Sequence, residues 1–260
     1  TRGWAWLRRG CRGYDVRLSD ITNDWSVLGV MGPNSRDLLQ SLTETDLSKD
    51  GFEFGSMKSL VIADVTCRAL RMSYVGELGW ELYVPSGQTE AVYWAITSCG
   101  EPYGLRHAGF HAMNSLRLEA GYRHWGHDIC DEDTPLEAGL GFAVAWEKPG
   151  GFTGREALLG RRGAPKPKRL IQFRIEDADL ISYHDDPIFR DDIYVGRTTG
   201  GMWSHVEDRC LTMAYLSNLK GVTQQWLDSG EWEIEIGTRR RQVTPSIRSF
   251  YDPKNQRVKM

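Results

Sequence analysis

Short apolar runs, broken by glycine, proline and acidic turns, dominate the first hundred residues. Residues 26–31 (SVLGVM) read as a buried strand. Gly32-Pro33 then opens a helix, because proline suits a first turn whose N–H has no intrahelical partner. Helical spacing of Leu38, Leu39 and Leu42 carries that helix over 35–42. Residues 57–64 and 67–74 read as two strands around a tight Val65-Thr66 turn, and 80–84 as a third strand. Ser86 is placed to cap a helix over 89–99 with Val92, Ile96 and Cys99 on one face. Strand, helix, three strands, helix is the order of a split α+β sandwich.

The next stretch changes period. Ala108, Ala112, Leu116 and Ala120 recur every fourth residue and predict a helix over 106–120, with Gly121 as its stop. Residues 139–146 are apolar enough for a buried strand, and 152–159 form a short helix. Residues 161–169 (RRGAPKPKR) are basic and proline-punctuated, which marks a linker and a domain boundary. Beyond it, 170–175, 193–197, 210–216, 232–236 and 242–247 alternate like strands between Gly, Asp and Ser turns, the pattern of a small β-barrel of five or six strands.

Composition narrows this picture. The 260 residues are 40% hydrophobic and 26% charged, a globular balance sufficient for one large or two ordinary domains. A net charge of -3 argues against nucleic acid as a partner, and no apolar run approaches a membrane span. Arg239-Arg240-Arg241 is the one candidate basic face, although such a run is more often a solvated turn. Five widely spaced cysteines (11, 67, 99, 130, 210) without a CxxC predict neither disulfides nor a zinc site, but small core residues in a reducing compartment. The chain opens on Thr1, with Trp4 and Trp6 close behind, and is expected to be a piece of a longer protein cut inside a structural element.

General catalytic signatures (GxGxxG, the P-loop, HExxH, GxSxG) are missing. His107 and His111 have helical metal spacing, yet no third ligand accompanies them, so no metal is expected. Glu77 and Glu81 frame Gly79, which lets a backbone approach a ligand, although a carboxylate there also fits a strand edge. Glu119, Tyr122, Trp125, His127 and Asp128 follow the long helix. They read equally as an aromatic-lined pocket or as a corner that packs Trp125 into the core.

One ordered set of segments carries a resemblance: 27–33 (VLGVMGP), 74–81 (YVGELGWE), 115–122 (SLRLEAGY), 125–128 (WGHD), 134–140 (TPLEAGL) and 198–201 (TTGG). Together they resemble the folate-binding aminomethyltransferase family of the glycine-cleavage T-protein, in particular the version at the C-terminus of sarcosine and dimethylglycine dehydrogenases. The ending 250–259 (FYDPKNQRVK) is similar to the sarcosine dehydrogenase branch. The resemblance implies an α+β, T-protein-like cloverleaf. In it, 1–25 and 106–162 form a partial first domain, 26–105 a middle α+β domain and 169–260 a C-terminal β-barrel.

By that resemblance, Glu81 accepts the N–H edge of the pterin of tetrahydrofolate, and Tyr74 lines the folate channel. Tyr122 and Trp125 are further cofactor-binding candidates. The arginine that T-protein members carry before Ser-Leu-Arg-Leu-Glu is Met113 here, as in the dehydrogenase branch. Gly3 stands where the family places its catalytic Asp, three residues before Trp6, so no catalytic residue is assigned. The implied activity is transfer of a one-carbon unit from an N-methyl amine to tetrahydrofolate. FAD is confined to an upstream oxidoreductase domain, a partner outside this chain. Location would be the mitochondrial matrix in a eukaryote and the cytoplasm otherwise. The alternative is an inactive regulatory homologue similar to the pyruvate dehydrogenase phosphatase regulatory subunit, which Gly3 favours. A third reading is a fragment whose incomplete channel wall holds no folate.

Overall fold

The computed structural model describes residues 2–260; Thr1, and the expectation that rests on it, lies outside the described residues. The chain divides into two compact units, 1–72 with 79–105, and 73–78 with 106–260.

The first unit begins with helix α1 (Arg2–Gly10), none of whose side chains is buried. Its sheet is antiparallel, ordered β1-β4-β3-β2, from β1 (Trp25–Met31), β2 (Met57–Ile62), β3 (Val65–Leu70) and β4 (Gly79–Pro85). Alternation along β4 buries Gly79, Trp80, Leu82 and Val84, and helices α2 (Ser35–Gln40) and α3 (Thr89–Cys99) pack on that strand. Leu38, Leu39, Val92 and Ile96 meet no more than traces of water, and each such side chain is worth about 1.5–3 kcal/mol of burial. Phe52 stacks on Trp80 at 6.2 Å, sealing the layer.

The β2–β3 turn falls on Ala63-Asp64, not on Val65-Thr66. Ile62 pairs with Val65, and both turn residues have positive φ (51° and 63°). β-branched Val65 and Thr66 resist that conformation and belong to the strand, whereas Asp tolerates it. Cys99 is exposed rather than on the core face of α3. Of the five free cysteines only Cys67 and Cys210 are buried, so the expectation of core cysteines fails for the other three.

In the second unit, α4 (Phe110–Glu119) starts later than periodicity suggested, after an extended Gly109, and stops as expected at Gly121, whose φ is 70°. The stretch 139–146 is not a strand. It contains only a short turn at Gly141–Ala143, and Phe142 is 86% exposed. Apolar residues without a sheet edge to pair with have no reason to extend. Helix α5 (Arg155–Leu159) precedes the barrel.

The barrel closes in the order β10-β5-β8-β7-β6-β9. Its strands are β5 (Lys168–Ile175), β6 (Pro187–Arg190), β7 (Ile193–Ser204), β8 (Arg209–Ser217), β9 (Trp232–Ile236) and β10 (Arg239–Ser246), with helix α6 (Gln224–Asp228) between β8 and β9. Ile171, Phe173, Ile188, Leu216 and Ile234 fill it. Closure pairs every strand on both sides, so no edge is left to aggregate. The run 239–241 is strand rather than solvated turn, because Gly237 and Thr238 take the positive-φ turn positions. Two of its three charges are answered locally: Arg240 pairs with Asp192 and Glu233, and Arg241 with Asp177.

Candidate functional site

Glu81 points to the sheet face away from α2 and α3, since its neighbours Trp80 and Leu82 take the core side. It stands opposite Gly29 on β1 and Leu70 on β3. The Tyr83 hydroxyl, two residues on and on the same face, donates to Glu81 Oε2 at 3.0 Å. That bond raises the Tyr83 phenol above its ordinary pKa, with burial and the carboxylate charge adding to it. Gly29, opposite this half-buried carboxylate, carries no side chain of its own, and the Met31 methyl lies 3.5 Å from where its Cβ would be.

Tyr83 also lines a cavity of about 840 Å³, together with Gly3, Trp4, Asp20, Trp25 and Arg68. Arg68 lies over the Trp25 ring at 4.6 Å. Nothing lies within 4 Å of where a Gly3 side chain would begin. Asp20 is the carboxylate in this cavity. Its Oδ1 accepts from the Thr22 hydroxyl at 2.6 Å and the Thr22 N–H at 3.0 Å, which hold it below the usual carboxylate range. Sequence reasoning sought an acid near position 3 and passed over Asp20, because the fold of 19–25 that brings it here has no spacing signature.

In the second unit Tyr74 and Tyr122 come together, rings stacked at 6.3 Å and 28°. The Tyr74 hydroxyl donates to the Arg123 carbonyl at 3.0 Å. Burial raises both phenols, with Asp128 adding to the effect at Tyr74 and Asp252 at Tyr122. The chain end closes on the same region. Tyr251 donates to the Glu77 carboxylate, Arg257 lies 3.8 Å from it, and Tyr122 reaches Asn255 at 3.4 Å. Gly76 touches Ala120 so closely that an added Cβ would sit 2.5 Å from the alanine methyl.

Trp125 is 66% exposed, which removes the reading that packs it into the core. Its neighbours His124 and His127 stack at 4.7 Å, and His127 meets His184 edge-on at 6.1 Å. Burial, aided by His127 and Arg117, lowers the pKa of His124. His107 lies before α4, so His107 and His111 do not share the helical turn their spacing suggested. Beneath the exposed residues, Asp128 and Arg117 form a buried ion pair, and the Thr199 hydroxyl donates to Asp128. Glu119 accepts from the Ser204 hydroxyl at 2.7 Å and the Val206 N–H at 3.2 Å. Each of these residues except Ser204 and Val206 sits in a segment quoted above, but only the fold shows that the segments meet through them.

Residues 1–148 match the family model described as GCVT N-terminal domain, and 168–252 the glycine cleavage T-protein C-terminal barrel domain. The chain belongs to the glycine cleavage T-protein family. Among curated relatives of this T-protein-family chain is 4-methylaminobutanoate oxidase (formaldehyde-forming) of Paenarthrobacter nicotinovorans, 37% identical over 98% of the chain and 30% of the relative. Human mitochondrial sarcosine dehydrogenase is 36% identical over 94% of the chain and 27% of the relative. The mitochondrial pyruvate dehydrogenase phosphatase regulatory subunit of Mus musculus is 32% identical over 98% and 31%. The chain thus spans 27–31% of the length of these relatives. The solved glycine cleavage system aminomethyltransferase T of Bartonella henselae superposes with a TM-score of 0.75, at 21% identity, over 94% of this chain and 63% of that one. The expected T-protein-like α+β fold with a C-terminal barrel is the fold observed. No helix among the described residues is long and apolar enough to cross a membrane.

Proposed function

We propose that this chain binds tetrahydrofolate and serves one-carbon transfer from an N-methyl amine, as part of a sarcosine or dimethylglycine dehydrogenase-like protein. The observation that carries the reading is Glu81. It is a half-buried carboxylate on the face of β4 turned away from α2 and α3, with glycine opposite it and one oxygen oriented by Tyr83. A carboxylate so held offers acceptors matched to the paired N–H groups of an aminopyrimidine. Bound folate would supply an amine nucleophile for the one-carbon unit. The family resemblance assigns Glu81 to its polar edge and offers Tyr74, Tyr122 and Trp125 as further binding candidates, each within its own unit. In this reading flavin chemistry belongs to an FAD-dependent oxidoreductase domain outside the chain. A eukaryotic source would place the protein in the mitochondrial matrix, since its sarcosine and dimethylglycine dehydrogenase relatives are mitochondrial. The reading also groups 1–25 with 106–162 as one family domain, beside 26–105 and 169–260.

Titration calorimetry with tetrahydrofolate tests this. Glu81→Ala is expected to weaken binding at least tenfold, since a charge-assisted pair is worth about 1.5–3 kcal/mol. Unchanged affinity would remove Glu81 from the site.

A second reading, a regulatory homologue without transfer activity, is favoured by Gly3 and by the likeness to a phosphatase regulatory subunit. Single-turnover formation of methylenetetrahydrofolate separates the two. A rate typical of active relatives excludes the regulatory reading, whereas binding without turnover supports it.

A further inference from the structure

Helix α4, the turn that follows it and Thr199 on β7 meet at one buried ion pair in the second unit. The side chains of Arg117, on α4, and Asp128 are only 4% and 0% exposed. Arg117 does more than neutralise Asp128. Its Nε donates to Asn114 Oδ1 at 2.7 Å, and its Nη1 also donates to the Tyr122 carbonyl at 3.1 Å. The Tyr122 N–H returns a bond to the Arg117 carbonyl at 2.8 Å, so one arginine clamps Tyr122 by both main-chain groups. Asp128 fixes the next turn. Its Oδ2 accepts from the His124 N–H at 2.8 Å and its Oδ1 from the Thr199 hydroxyl at 2.5 Å. Between these anchors lies Arg123, whose carbonyl receives the Tyr74 hydroxyl.

We propose that Arg117 and Asp128 are positioning residues that set the Tyr74–Tyr122 aromatic wall, acting through the backbone of residues 122–124. The inference deepens the folate reading and rests on it only for the identity of the ligand. A buried ion pair is a poor source of stability, because desolvation offsets most of the Coulomb gain, and apolar replacements are often neutral. What it supplies here is direction: a planar fork and a two-oxygen acceptor determine which carbonyl and which N–H face inward. With Tyr122 pinned, its ring has a fixed partner in Tyr74, and the wall is formed before ligand arrives.

Arg117→Lys is the informative change. An ammonium can still neutralise Asp128, but it lacks the planar fork that serves Asn114, Tyr122 and Asp128 from one side chain. Amide hydrogen exchange, thermal unfolding and calorimetry with tetrahydrofolate are measured on the whole chain. The expected result is at least tenfold faster exchange at Tyr122–His124 and at least tenfold weaker folate binding. Exchange in the barrel strands should stay unchanged, the signature that general destabilisation would not give. Wild-type exchange at 122–124 in Arg117→Lys overturns the proposal. If the wild-type chain binds no folate, the functional reading fails, and the exchange measurement alone decides the positioning role. Should Arg117→Lys fail to fold, Thr199→Val removes one bond to Asp128 with little change in shape. It is expected to move the same amides three- to fivefold, and no change there equally overturns the inference.

Discussion

Tyr83→Phe isolates what the phenol does for Glu81. The substitution deletes one oxygen, keeps the ring, and leaves the β4 register to Arg68 and Val27 untouched. The lost bond is the 3.0 Å donation to Glu81 Oε2. A hydrogen bond to a charged group contributes about 1.5–3 kcal/mol when sheltered, and less here because both side chains are partly in water. Fold stability should therefore change by under about 1 kcal/mol. Binding should suffer more. Freed from Tyr83, the carboxylate regains rotamers that a ligand must freeze out again, at about 0.5–1 kcal/mol, and loses part of its orientation. The two effects together predict a three- to tenfold rise in the tetrahydrofolate Kd, since 1.4 kcal/mol is tenfold. Calorimetry at pH 7 reads this directly, with thermal unfolding as the control. Equal or tighter binding by Tyr83→Phe would refute the view that a preset carboxylate is the recognition element, even if Glu81 itself proved essential.

Gly3→Asp should be accepted without clash, since nothing lies within 4 Å of its Cβ position, and an acid in the first turn of α1 adds about 0.3–1 kcal/mol through the helix dipole. A chain that binds folate without turnover should gain measurable single-turnover transfer from this change, and no gain would argue that the acid at position 3 is not what is missing. Gly196→Ala should cost several kcal/mol and lower the unfolding midpoint sharply, because its Cβ would lie 1.9 Å from the Tyr215 carbonyl of the adjacent strand; a neutral effect would contradict the β7–β8 pairing. Burial pushes the Cys210 thiol up to about 11, so with a thiol reagent at pH 8 the folded chain should leave Cys210 unmodified while exposed Cys99 reacts. Tyr74 and Tyr122 have folded-state pKa values raised by burial. Their contribution to stability is thus fully present below the unfolded phenol value near 10 and is lost as pH rises through the folded values. Denaturant midpoints should be flat from pH 7 to about 9 and fall above about 10, and Tyr74→Phe should lessen that fall.

Local rules carried much of the fold. β4 was readable because Trp80, Leu82 and Val84 alternate with Glu81 and Tyr83, and that alternation also turned Glu81 away from the core. Gly121 was readable as a stop because glycine takes a φ of 70° at no steric cost. Where local preference was silent or ambiguous, the reading failed. Residues 139–146 have a strand's composition but find no edge to pair with. Residues 239–241 have a loop's composition but complete a barrel in which Glu233 on β9 and Asp192 in the β6–β7 turn supply carboxylates. Strand β6, only Pro187–Arg190, was too short to register as periodic and exists because β7 and β9 flank it.

The sequence by itself determined the family, the class of fold and the residue types available for a ligand, because motifs in order and side-chain period are properties of the chain. Tertiary structure alone decided which of those residues meet. It put Asp20 in the cavity that Gly3 lines. It also joined Arg117, Asp128 and Thr199 into one buried network. The reason is range: propensity and periodicity act over a few residues, whereas a buried charge must find its partner wherever closure of the core happens to bring one.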